Sequence, residues 1–154
     1  MNKHIIRTYF KINLLFKRYG IGPIFFACII VKIISFLFSD PLEHSISTLP
    51  AYEAFAAAVL FTPFFETFIF QFLLFYAGEK WKLKNSQIII ISSILFAISH
   101  NSSLAYVILA LLSGIFYNSV YFKIKEKYGT YIAYFFITGI HAIYNCLVWL
   151  NVYF

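Results

Sequence analysis

Apolar residues in this chain come in long, nearly unbroken runs, at 20–38 ("GIGPIFFACIIVKIISFLF"), 50–77, 87–100 ("QIIIISSILFAISH"), 103–122 and 130–150. A helix needs about 20 predominantly apolar residues to cross a bilayer, so the pattern predicts five helices and an all-α, polytopic transmembrane bundle. The third run is the shortest, and its turn "HNSSL" is expected below the bilayer surface with Ser102 or Ser103 as the next N-cap. Composition agrees, because 62% hydrophobic and only 12% charged residues cannot cover a soluble surface. The 154 residues leave room for one membrane-embedded domain, 20–154, with no separate soluble domain. Residues 1–19 mix Lys and Arg with Ile, Phe, Leu and Tyr, and read either as an interfacial helix or as a plain basic flank.

A net charge of +6 would suggest nucleic acid as partner in a soluble protein; here the placement of charge points to the lipid bilayer instead. Lys3, Arg7, Lys11, Lys17 and Arg18 precede the first run, Lys80, Lys82 and Lys84 follow the second, and Lys123, Lys125 and Lys127 follow the fourth. The other connections carry no Lys or Arg. Positive charge stays cytoplasmic during insertion, so the N-terminus is expected inside and the C-terminus outside. The first run is read as a retained helix, since "FSDPLEHS" after it has no small-x-small cleavage signature. Lys32 within it receives no role. Cys28 and Cys146, each in an apolar run without a metal-binding spacing, are expected as free thiols. No internal repeat is visible.

Against this background the polar residues inside the runs stand out. In "FTPFFETFIFQFLLFY" (61–76), Glu66 and Gln71 interrupt a stretch of phenylalanine and leucine. A carboxylate at a helix centre costs about 2.5–3.5 kcal/mol on insertion scales, so such residues turn inward and find partners. With the topology above and a rise of about 1.5 Å per residue, Glu66 and His141 lie roughly 17 Å from the inner ends of their helices and His100 roughly 20 Å. Asn145 is one turn above His141. Three distant segments thus bring Glu66, His100, His141 and Asn145 to one stratum of the bilayer. Thr138, His141 and Asn145 share one stripe of the fifth helix, and Thr67 with Gln71 form an i, i+4 pair. Pro63 lacks an N–H and frees the carbonyl of Val59, so the helix is expected to bend or open near Glu66.

"PFFETFIFQ" (63–71), "FAISH" (96–100) and "HAIYN" (141–145), in that order and in separate helices, resemble the three motifs of the CPBP family. That family groups CAAX prenyl endoproteases with bacteriocin-processing and self-immunity proteins, and the resemblance covers about residues 50–150. It implies an intramembrane endopeptidase. In the family, the first glutamate of EExxxR activates water, the histidine of FxxxH helps hold it, and HxxxN supplies the remaining contacts. Carried over, Glu66 resembles the general base, His100 the water-positioning residue, and His141 with Asn145 the oxyanion stabilisers. Donors fixed in a low-dielectric site stabilise a tetrahedral oxyanion far better than water does.

Two positions depart from the pattern, with Thr67 in place of the second glutamate and Gln71 in place of the arginine. Loss of one charge alone would strand the other, so the two changes read as compensatory, with Thr67 and Gln71 as an uncharged hydrogen-bonded pair beside Glu66. A metal stays open. Glu66, His100 and His141 are the residue types of a His/His/carboxylate site for a divalent metal such as zinc, whereas Asn is a poor zinc ligand and no HExxH is present. Two other functions remain beside the peptidase that acts on a peptide or membrane-protein substrate. One is a catalytically inactive relative that binds a peptide, in self-immunity or as a membrane scaffold. The other is a proton- or ion-handling protein, which the lack of an inverted repeat disfavours. Richness in Lys, Asn, Ile, Phe and Tyr, with brief loops, points to a bacterial cytoplasmic membrane. Glu53 is read as a helix N-terminal charge, Asn118, Ser113 and Gly114 as packing positions, and Trp81 and Trp149 as interfacial anchors.

Overall fold

The computed structural model describes residues 13–22, 29 and 49–154. The remainder of the first expected span, with Cys28 and Lys32, and most of the basic segment 1–19 lie outside the described residues. The described chain is helical, with four long elements: α1 (Ala51–Lys80), α2 (Asn85–Ile98), α3 (Leu104–Tyr128) and α4 (Thr130–Tyr153). Three of them, α1, α3 and α4, are long and apolar enough to cross a membrane. The all-helical membrane bundle expected from the hydrophobic pattern is therefore the observed architecture.

The 14 residues of α2 give it about 21 Å of length against a hydrocarbon thickness of about 30 Å. The α2–α3 turn consequently stops short of the far end of the bundle. Ser103 caps α3 there by accepting from Tyr106 N at 3.2 Å. In contrast, α3 runs past the expected end at 122 to Tyr128. Lys and Glu are good helix formers, and Lys125 and Lys127 in the last turn suit the negative end of the helix dipole. Gly129 ends α3 at φ +93°, where a side chain would be strained, and α4 starts at the next residue.

Close approach at two glycines sets the packing of α2. A Cβ on Gly78 would lie 2.6 Å from Ile88 Cγ1, and one on Gly114 would lie 3.1 Å from the Ser93 backbone. Apolar packing fills the lysine-bearing half of the bundle, where Phe75, Ile88, Tyr121, Ile124, Ala133 and Ile137 are buried. Leu15, from the described N-terminal piece, joins this cluster, and Lys125 pairs with Glu79 across α3 and α1. Leu60, Phe61, Phe64, Phe65 and Phe68 remain exposed on α1, as lipid contact requires.

Side chains of α4 fix its antiparallel register against α1 through backbone carbonyls. Tyr134 Oη donates to Phe64 O (3.1 Å), Asn145 Nδ2 to Ala58 O (2.8 Å), Trp149 Nε1 to Ala51 O (3.0 Å) and Tyr153 Oη to Leu49 O (2.8 Å). These bonds matter because α1 is not a uniform α-helix. Wide π turns cover Ala56–Phe61 and Thr67–Leu73, on either side of the turn that carries Pro63 and Glu66. Backbone loosened at membrane depth has to find donors inside the protein.

Candidate active site

The helix opens where Pro63 predicts, with one change of register. Val59 is the carbonyl orphaned in an α-helix, but a π turn pairs each N–H with the carbonyl five residues back, as Thr62 N does with Ala57 O. The N–H absent at Pro63 is then the one owed to Ala58. Asn145 supplies the replacement through the bond to Ala58 O. A carbonyl can only accept, so the amide orientation is fixed by chemistry. This leaves Asn145 one further N–H, and the residue lines the cavity described below.

Glu66 is the last residue of the α turn held between the two π segments. Its Oε1 lies 3.5 Å from His100 Nε2 and its Oε2 lies 3.6 Å from His141 Nε2. Oε2 is buried and has no hydrogen-bond partner. The carboxylate thus sits between two imidazoles, at the edge of bonding distance from both.

The FxxxH spacing has a local cause. Phe96 lies four residues before His100 at the frayed end of α2, where carbonyls lose their helical partners. His100 Nδ1 takes that carbonyl at 2.8 Å, and Ser99 Oγ also donates to it, at 2.7 Å. Donation from Nδ1 places the lone pair of neutral His100 on Nε2, facing Glu66. The Phe96 ring packs on both histidines, with centroids 4.4 Å from His100 and 6.1 Å from His141. Tyr106 packs against His100, and Tyr117 against His141.

The three groups form one wall of a cavity of about 710 Å³, which extends past Thr62, Leu109, Ser113 and Val148 to Leu49 and the α2–α3 turn. Its volume lies in the usual range for ligand sites. Among the described residues no group of three His, Cys, Asp or Glu is arranged to hold a metal ion.

Thr67 and Gln71 do not form the expected pair. Both are buried, but Gln71 Nε2 donates to Asn118 Oδ1 on α3 at 3.3 Å, and Thr67 Oγ1 has no partner. The π turn Thr67–Leu73 removes the α-helical i, i+4 stacking on which the pairing rested. Asn118 is the hub instead. It accepts from Ser92 Oγ and donates to Ser93 Oγ, both at 3.1 Å. The single Ser92 hydroxyl proton is shared between Asn118 Oδ1 and Phe70 O, and Ser93 Oγ donates to Ile89 O, so the network ties α1, α2 and α3 together. Sequence reasoning placed Asn118 in the packing but missed its partners. The signal was four amide or hydroxyl side chains, Gln71, Ser92, Ser93 and Asn118, at similar depth on three neighbouring helices. Glu53 lies in the first turn of α1, as expected, and accepts from Tyr52 Oη.

A profile of the type II CAAX prenyl endopeptidase Rce1-like family matches residues 48–147. The chain belongs to this family. It is an integral membrane protein of a CAAX-type protease family, and the match covers every motif residue discussed above. No curated protein and no solved structure gives a significant match.

Proposed function

We propose that the protein is an intramembrane endopeptidase that hydrolyses a peptide bond in a membrane-associated peptide or protein, with Glu66 as the general base. The observation that carries this reading is the approach of His100 and His141 to the two oxygens of one carboxylate, on the wall of a cavity large enough for a short peptide segment. A half-buried carboxylate with one buried, unpartnered oxygen is costly as structure and useful as a base.

In this mechanism a water bound beside Glu66 gives its proton to the carboxylate. His100, with its Nδ1 proton committed to Phe96 O, accepts a hydrogen bond at Nε2 and fixes the orientation of that water. The water oxygen attacks the scissile carbonyl. His141 and the second N–H of Asn145 stabilise the oxyanion, and Glu66 passes its proton to the leaving amine. Gln71 acts at a distance, holding α1 to α3 through Asn118. Glu66, His100 and His141 are also the side chains a divalent metal would have to use, so sensitivity of cleavage to chelators is a direct test. Composition supports placement in a bacterial cytoplasmic membrane.

The decisive experiment compares membranes from cells with wild-type protein or Glu66→Gln at matched expression, mapping new peptide termini by mass spectrometry. Termini found only with wild type establish the peptidase. Identical termini, with a peptide still captured by the wild-type protein, would replace it with a binding protein.

A further inference from the structure

The two ends of the bundle differ in charge, and the cavity belongs to only one of them. The described cations are Lys17, Arg18, Lys80, Lys82, Lys84, Lys123, Lys125 and Lys127. Six of these lie in the α1–α2 turn and the last turns of α3, which the Lys125–Glu79 pair brings together. Lys17 and Arg18 join them, because Leu15 and Tyr19 on the same short piece pack against the core of that half. At the opposite end lie the N-terminus of α1 and the C-terminus of α4, brought together by the Trp149 and Tyr153 bonds, and the α2–α3 turn faces that end from deeper in the bundle. No described Lys or Arg is found there.

The cavity runs from Glu66 toward this lysine-free end. Its outer lining includes Leu49, Ser99, Asn101 and Ser102, all exposed. The shortness of α2 leaves a notch above the α2–α3 turn, and the cavity occupies it. Retention of positive charge in the cytoplasm orients the lysine end inward.

We infer that the site is entered from the face opposite the cytoplasm and takes an uncharged peptide segment presented on that face. This rests on the peptidase reading for what happens to the segment, but not for how it arrives. No described Lys or Arg lines the cavity, so a terminal carboxylate or phosphate on the substrate finds no permanent counter-charge among the described residues there. Thr62, Ser99, Asn101 and Ser102 offer hydrogen bonds to a peptide backbone, while Leu49, Leu109 and Val148 offer apolar contact.

The test uses full-length protein in intact cells, with Cys28 and Cys146 replaced by Ser. Single cysteines are introduced as Ser102→Cys at the mouth, Ser113→Cys deeper in the cavity and Lys82→Cys in the lysine turn, and are treated with a membrane-impermeant thiol reagent. Ser102→Cys is expected to label to the same extent before and after permeabilisation, and Ser113→Cys to label from outside at a slower rate. Lys82→Cys is expected to lose its labelling in intact cells. Labelling of Lys82→Cys from outside, or protection of Ser102→Cys until cells are opened, overturns the inference. Labelling needs no catalysis, so repeating it in a Glu66→Gln background separates the two proposals. The mapped cut sites give a second readout: termini in segments on the far face support the inference, and termini in cytoplasmic segments overturn it while leaving the peptidase intact.

Discussion

Two polar clusters sit little more than a turn apart on α1, and they are built to opposite rules. Around Gln71, the side chains of Asn118, Ser92 and Ser93 bond to one another and to backbone carbonyls of α1 and α2, with all four side chains buried. Around Glu66, the charged group has two histidines just outside bonding range, one oxygen without a partner and a cavity alongside. A satisfied polar network in a low-dielectric interior holds helices together; an unsatisfied one keeps its hydrogen-bonding capacity for something that enters. The contrast also accounts for the two motif departures. With Gln71 neutral, the lower cluster needs no counter-ion and closes on itself, while the neutral Thr67 stays outside it with its hydroxyl unpartnered.

Substitutions can break this contrast. The largest effect is expected at Glu66, where Glu66→Gln keeps shape and removes the base, lowering cleavage by roughly 10²–10⁴-fold, the usual range for general acid–base catalysis. Single-turnover cleavage of a mapped substrate measures it, and thermal unfolding should change far less than activity. Next is Asn118→Leu, which strands the buried Gln71 amide at a cost of about 1–3 kcal/mol. Unfolding in mild detergent should show the loss, while cleavage per folded molecule stays near wild type because Asn118 does not line the cavity.

Asn145→Ala should combine the two behaviours. Removing the donor to Ala58 O costs about 1 kcal/mol of stability, and the freed π turn lets Glu66 drift from the histidines, so activity falls more than stability does. Asn145→Asp, which cannot donate to a carbonyl when ionised, should fail to restore activity in the same assay. The smallest effect is expected at Thr67→Val. Its hydroxyl already lacks a partner, so a near-isosteric methyl should change stability by no more than about 0.5 kcal/mol, with activity retained. A large loss there would show that the two clusters communicate through Thr67.

Much of the site was legible because lipid penalises polar side chains strongly. Glu66, His100 and His141 could be assigned to the interior, and to one depth, from the cost of the alternative and the rise of a helix. Partners were less legible. Thr67 and Gln71 have the spacing of a pair, yet the π turn separates them and Gln71 finds Asn118. Pro63 announced an orphaned carbonyl, but the same change of register moved it from Val59 to Ala58 and drew in Asn145. Trp149, expected as an interfacial anchor, spends its N–H on the start of α1.

Sequence alone determined which segments leave water, which of their residues must turn inward, and which connections carry positive charge. Those follow from transfer free energies that each residue carries wherever it sits. Only the tertiary structure decided which carbonyl Asn145 holds, what Gln71 binds, and toward which end the cavity runs. Those bonds join residues 87 and 47 positions apart. They depend on the length of α2 and on two π turns whose register is set by packing against α4 and α3, and no local preference encodes that.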